Sequence, residues 1–169
     1  MKEKSQILHS EADTEKLTAQ LAGKIKELFN QNNQYALKIS LEGNLGAGKT
    51  TLTRYLLKAL GHMGKVKSPT YTLCEPYEIT PSPVITDQQV QTLQVHHFDL
   101  YRMNYPEEWI DAGFRDTLSQ AGICLIEWAE KAGTTLPPFD LIIQLQMNDD
   151  ETRSVELISL SKEGQDLLA

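Results

Sequence analysis

Apolar residues fall at helical spacing between residues 17 and 29, where Leu17, Leu21, Ile25, Leu28 and Phe29 share one face, with Asp13 placed to cap the helix. A short strand is expected before it, at residues 5–10. A polar loop follows, and residues 35–41 (Tyr-Ala-Leu-Lys-Ile-Ser-Leu) read as a strand that runs into a glycine-rich segment. Leu52, Tyr55, Leu56 and Leu60 restore helical spacing over residues 49–60, and Gly61 is a natural stop. Further strands are expected at residues 71–77, 93–98, 123–126, 139–147 and 154–160. Short helices fit residues 106–110 and 114–120, and another can finish the chain. Residues 78–91 carry Pro81, Pro83 and several Gln, and read as an exposed loop.

Strands and helices alternate along the whole chain without a repeat or a low-complexity tract. The expected architecture is therefore an α/β three-layer sandwich, with a central, mostly parallel sheet and helices on both faces. At 169 residues the chain fits one domain, residues 1–169.

Composition narrows the classes. Hydrophobic residues at 40% and charged residues at 23% are ordinary for a soluble globular protein. No apolar run approaches the roughly 20 residues that span a bilayer, and the first residues lead into no signal-peptide core. A cytoplasmic location is expected. A net charge of −7 argues against a surface built mainly to hold nucleic acid by counterion release. Cys74 and Cys124, the two cysteines, lie in apolar stretches and show no metal-ligand spacing; buried free thiols are expected.

The glycine-rich segment carries the chemistry. Gly43-x-x-x-x-Gly48-Lys49-Thr50 meets the P-loop pattern between an expected strand and an expected helix. Glycines at 43, 46 and 48 allow a backbone whose N–H groups form an anion nest, reinforced by the helix that follows. The run Gly43, Asn44, Leu45, Gly46, Ala47, Gly48, Lys49, Thr50 and Thr51 is thus the expected nucleotide-binding set. Lys49 would reach the β- and γ-phosphates, Thr50 would offer its hydroxyl to Mg²⁺, and Thr51 would touch the α-phosphate. ATP or ADP with Mg²⁺ is the expected ligand.

Such a loop needs an acidic partner. Ile123-Cys124-Leu125-Ile126-Glu127 ends an apolar run in a carboxylate, a Walker-B-like arrangement with Glu for Asp. An ordinary strand ending in a solvated Glu has the same pattern. Asp99, in His96-His97-Phe98-Asp99-Leu100-Tyr101-Arg102, can orient the attacking water or bind the metal, or simply cap a turn. Strand alternation sends His96 and His97 to opposite faces, so they are read as packing residues rather than shared ligands. Arg102 can serve as an internal arginine finger or as a structural ion pair. Ser68-Pro69-Thr70-Tyr71 resembles a switch segment that senses the γ-phosphate through the metal, and also fits a plain Ser-Pro turn.

Five segments in order, GNLGAGKTT at 43–51, SPTYTL at 68–73, HFDLYR at 97–102, GFRD at 113–116 and IEW at 126–128, together resemble the bacterial TsaE (YjeE) family. The resemblance covers essentially the whole chain. It implies an ATPase subunit for the N6-threonylcarbamoyl modification of adenosine in tRNAs reading codons that begin with A. It further implies partners: the threonylcarbamoyl-transferase subunit and its inactive paralogue, with tRNA engaged through that complex. Carried over by motif, Thr50 and Glu127 match metal-binding positions and Asp99 a residue important for hydrolysis. Trp128 follows the acid, Thr70 lies in the switch-like loop, and Thr14 matches the nucleotide-contacting N-terminal segment. The stretch between Glu75 and Val95 is longer than the family's usual connection.

Three rivals differ in kind. A GTPase would carry an Asn/Thr-Lys-x-Asp motif and an Asp-x-x-Gly switch, and neither is present. A small-molecule kinase needs an acceptor pocket and often an Arg-rich lid, whereas this chain has few arginines. A nucleotide-gated adaptor would bind ATP and hydrolyse it only when a partner completes the site.

Overall fold

The computed structural model describes residues 1–69, 71–80 and 92–169. Its centre is a seven-stranded sheet formed by β1 (Glu3–Leu8), β2 (Ala36–Glu42), β3 (Cys74–Ile79), β4 (Leu93–Asp99), β5 (Gly122–Glu127), β6 (Leu141–Met147) and β7 (Arg153–Ser159). The spatial order is β1-β7-β6-β2-β5-β4-β3. The four middle strands, β6, β2, β5 and β4, run parallel, while β1, β7 and β3 are antiparallel additions at the two sides. Parallel strands need helical crossovers that cover both faces, so their sequences become nearly continuous apolar runs. β5 obeys this fully: all six of its residues are buried.

Alternation along the strands sorts side chains into two cores. On one face Leu37, Ile39 and Leu41 of β2, and Ile123 and Leu125 of β5, pack beneath α1 (Glu11–Gln31), α2 (Lys49–Leu60) and the last helix. On the other, Phe98, Cys124 and Ile126 pack beneath α3 (Glu108–Asp111), α4 (Arg115–Ser119) and the 3₁₀ turn Ala129–Ala132. The last helix, α5, spans Lys162–Leu167 and contacts α1 and β7.

Several local expectations shift by a few residues. α1 begins at Glu11, with Ser10 as its cap residue; Asp13 instead accepts a 2.8 Å hydrogen bond from the His9 N–H, pinning the entry to the helix. β1 starts earlier than the apolar pattern indicates because its backbone pairs with β7, Glu3 to Leu8 against Ile158 to Arg153. β3 starts later and runs to Ile79, so residues 78 and 79 are strand rather than loop. Pro76 is tolerated there because β3 is an edge strand and loses no ladder hydrogen bond on its open side. The rest of the long connection, residues 81–91, and the switch-like residue Thr70 lie outside the described residues.

Both cysteines are free and buried, and burial pushes each thiol up to about 12. Among the described residues no helix is long and apolar enough to cross a membrane.

Candidate functional site

β2 ends at Glu42, α2 begins at Lys49, and the chain between them takes a positive φ at Gly43, Gly46 and Gly48. Gly43 has φ +151°, and a Cβ there would sit 2.6 Å from the Leu145 carbonyl oxygen. Gly48, the N-cap of α2, has φ +109°, and a Cβ would press to 3.0 Å from Arg153 Nε. Arg153 explains that crowding. From the start of β7 its Nε donates a 2.9 Å hydrogen bond to the Ala47 carbonyl, tying the loop to the sheet.

Within the loop, Asn44, Leu45 and Gly46 are exposed and Ala47 is buried. Lys49 is buried too, yet its ammonium donates back across the loop to the Gly43 carbonyl. The same ammonium lies 4.0 Å from the centroid of the Trp128 ring. Thr50 is exposed at the first turn of α2, and Thr51 is half-buried. Thr53 spends its hydroxyl on the Lys49 carbonyl at 2.9 Å.

The acids meet the loop through strand register. β4 and β5 pair in parallel so that Asp99 stands opposite Glu127, and β2 pairs with β5 so that Leu41 stands opposite Glu127 on the other side. The carboxyl ends of three adjacent parallel strands therefore carry the loop and both carboxylates in one row. Such ends are where open α/β sheets bind ligands. Glu127 is 3% exposed, and its Oε2 lies 2.6 Å from His97 Nε2. Burial raises the Asp99 carboxyl above its ordinary range, against a 3.0 Å hydrogen bond from the Tyr101 N–H that lowers it. Trp128, directly after Glu127, takes a left-handed backbone (φ 59°), which turns the chain off the strand and lays the indole against Lys49. The Tyr101 ring also meets the indole, tilted 53° to it with the ring centroids 4.9 Å apart.

Thr14 comes from a distant part of the chain to the same place. It lines a cleft with Ser10, Gly48, Thr51, Glu151 and Arg153, between the start of α1 and the loop. The tertiary structure thus gathers Thr14, the loop, Lys49, Thr50, Thr51, Asp99, Glu127 and Trp128 around one end of the sheet. Arg102 is not among them: it is exposed, with its guanidinium 5.7 Å from the Tyr71 ring, and it forms no ion pair among the described residues.

The residues present fit a phosphate ligand with a magnesium ion. The loop lies against β6 so closely that a Cβ at Gly43 would strike the Leu145 carbonyl, and it leads into an ammonium at Lys49 and an exposed hydroxyl-bearing residue, Thr50. Among the described residues no three His, Cys, Asp or Glu side chains converge to cage a metal. Mg²⁺ is usually held by one or two carboxylates together with phosphate oxygens and water, and Asp99 and Glu127 stand side by side at the strand ends.

Two contacts leave little or no trace in the local sequence. Strand alternation reads His97 as a packing residue, whereas it is paired with Glu127. Arg153 carried no local signal at all. The His97 pairing did leave one: His97 and Asp99 are two apart in a strand, so they share a face.

This fold and this loop define the class, an α/β protein of the P-loop NTPase type. The fold matches a solved structure described as the crystal structure of Bacillus subtilus YdiB, with a TM-score of 0.69, covering 99% of this chain and 92% of that one at 23% identity. A family model described as threonylcarbamoyl adenosine biosynthesis protein TsaE matches residues 8–155. Relatives named tRNA threonylcarbamoyladenosine biosynthesis protein TsaE include one from Haemophilus influenzae, 42% identical over 84% of this chain and 82% of that protein. Another, from Aquifex aeolicus, is 33% identical over 91% of this chain and 95% of its own length. The chain belongs to the bacterial TsaE family.

Proposed function

We propose that this chain is an ATPase that binds Mg-ATP at the glycine-rich loop and hydrolyses it to ADP and phosphate in support of tRNA N6-threonylcarbamoyladenosine formation. The observation that carries the reading is the row at the carboxyl ends of β2, β5 and β4: the loop from Gly43 to Lys49, then Glu127, then Asp99. The relatives' names support the biosynthetic role. The acting partners on this reading are the threonylcarbamoyl-transferase subunit and its inactive paralogue, with tRNA reached through them, all in the cytoplasm.

Each residue has a task that its surroundings suit. The loop N–H groups, Lys49 and Thr51 would hold the phosphates, and Thr14 would contact the nucleotide from the α1 side of the cleft. Thr50 and Glu127 would hold Mg²⁺, directly or through its water shell. When bound, that ion supplies positive charge to the phosphate oxygens as negative charge shifts toward the leaving group. Asp99, made more basic than a free aspartate by burial, is suited to orient a water and take its proton. Thr70 and Trp128 would report the state of the site to a partner.

One observation favours a second, related reading, a nucleotide-gated adaptor with little hydrolysis of its own. Lys49 is engaged by Trp128 and by the Gly43 carbonyl, so phosphate has to compete for it. Phosphate release should be measured for the chain alone and with the purified transferase pair and tRNA. Slow release that rises several-fold with the partners supports both readings together. Complex function unchanged by Lys49→Ala would overturn both, and phosphate transfer to an added nucleoside would favour a kinase.

A further inference from the structure

We infer that His97 is a positioning residue that holds the Glu127 carboxylate in the orientation needed to receive the metal, an inference that rests on Glu127 being the acid of the proposed site. His97 is fully buried in β4, and its Nε2 lies 2.6 Å from Glu127 Oε2. It stands opposite Leu125, one pleat below the Asp99–Glu127 row and on the same face, so the ring reaches diagonally up the sheet to the carboxylate. The contact occupies one carboxylate oxygen and leaves Oε1 free of it.

Stability alone does not account for this pair. Among the described residues His97 Nδ1 has no hydrogen-bond partner. Leaving a buried polar atom unsatisfied costs about 1–3 kcal/mol, and an apolar side chain of similar volume often serves a buried ionic position as well or better. The orphaned Nδ1 also fixes the chemistry. A ring that donates Nε2–H to Glu127 keeps a bare lone pair at Nδ1, which is easier to bury than an N–H without an acceptor. The one polar contact of the ring is thus aimed at the one carboxylate that closes β5 beside the loop. Acids that ligate a metal are commonly held by such a partner, whose loss costs 10- to 100-fold in metal affinity or activity.

The test uses the full chain with His97→Leu, His97→Gln and His97→Asn, and Mn²⁺ with ADP as the probe. Half-saturation by Mn²⁺, read by electron paramagnetic resonance, should rise about 10- to 100-fold in His97→Leu while ADP affinity in EDTA stays put. His97→Gln carries an amide donor at the depth of Nε2 and should return to within about threefold of the parent, whereas the shorter Asn should not. Wild-type half-saturation in His97→Leu, or a Gln variant as impaired as the Asn variant, would overturn the inference. Should His97→Leu fail to fold, the Gln–Asn contrast still decides. Nitrogen NMR of the metal-free protein separates this from the reading beneath it: an Nε2–H tautomer is expected, and an Nδ1–H tautomer sinks the His97 role whatever the site binds. Failure of the parent protein to bind Mn²⁺ with ADP would instead sink the magnesium-nucleotide reading.

Discussion

The ammonium of Lys49 lies 4.0 Å from the centroid of the Trp128 indole while donating to the Gly43 carbonyl. A cation over an indole face is worth about 0.5–2 kcal/mol, little enough for a phosphate to outbid. Nucleotide binding should therefore change the tryptophan emission. The other tryptophan, Trp109, is buried in the core beneath α3 and α4, with its indole N–H on Thr135 Oγ1 at 2.7 Å. The response should survive Trp109→Phe and vanish in Trp128→Phe; an unchanged response in the latter would show that Lys49 stays put.

On the proposed reading Thr50 and Glu127 hold the metal rather than the phosphates. Thr50→Ala removes an exposed hydroxyl and should leave the fold intact. Glu127→Ala opens a buried space beside His97, so Glu127→Gln is the gentler companion. Each should lower Mg²⁺-dependent phosphate release by about 10-fold or more while changing nucleotide affinity in EDTA far less. Equal losses in both assays would move these residues to the phosphate-binding set.

Asp99 gives two measurable consequences. Asp99→Asn should spare nucleotide binding and slow hydrolysis by about 100-fold; hydrolysis at the parent rate would remove its role. The second is stability. Burial raises the folded-state carboxyl above its unfolded value, so the folded protein binds this proton more tightly. Stability associated with Asp99 is then fully present below the unfolded value, about pH 3.9, and declines as pH rises through the folded one. Asn stays neutral and keeps an oxygen for the Tyr101 N–H. Asp99→Asn should raise the melting temperature at neutral pH and leave it unchanged near pH 3, where both side chains are uncharged.

Arg153 ties the loop to β7 through the Ala47 carbonyl. Arg153→Ala should weaken ADP binding by about tenfold, the size of one hydrogen bond from a charged group. Arg153→Lys should not restore it, because a lysine has no donor partway along its stem at the position of Nε. Calorimetric titration with ADP checks both; full rescue by Lys would mean that charge, not loop geometry, matters.

The motifs and the elements that carry them were readable locally. α2 was expected at residues 49–60 and occupies Lys49–Leu60, because its leucines repeat at helical spacing and Gly61, at φ +118°, ends it in a left-handed cap. β5 was expected from four apolar residues, and its burial on both faces is the reason for that run. The edges were less legible: β1 and β3 owe their limits to the strands beside them, β7 and β4, and backbone hydrogen bonds to a neighbour leave no side-chain pattern.

What the sequence by itself determined was the glycine-rich loop, its flanking strand and helix, and two acids each placed at the end of a strand. These depend on turn chemistry and periodicity within a dozen residues. Only the tertiary structure decided that Asp99 and Glu127 stand side by side, that His97 reaches Glu127 from 30 positions away, and that Arg153 braces a loop 106 positions earlier. Parallel register and long-range packing set those meetings, and the reason is physical: a strand's own residues fix which way its side chains face, but the neighbour it pairs with, and at what offset, is chosen by burial of the whole sheet.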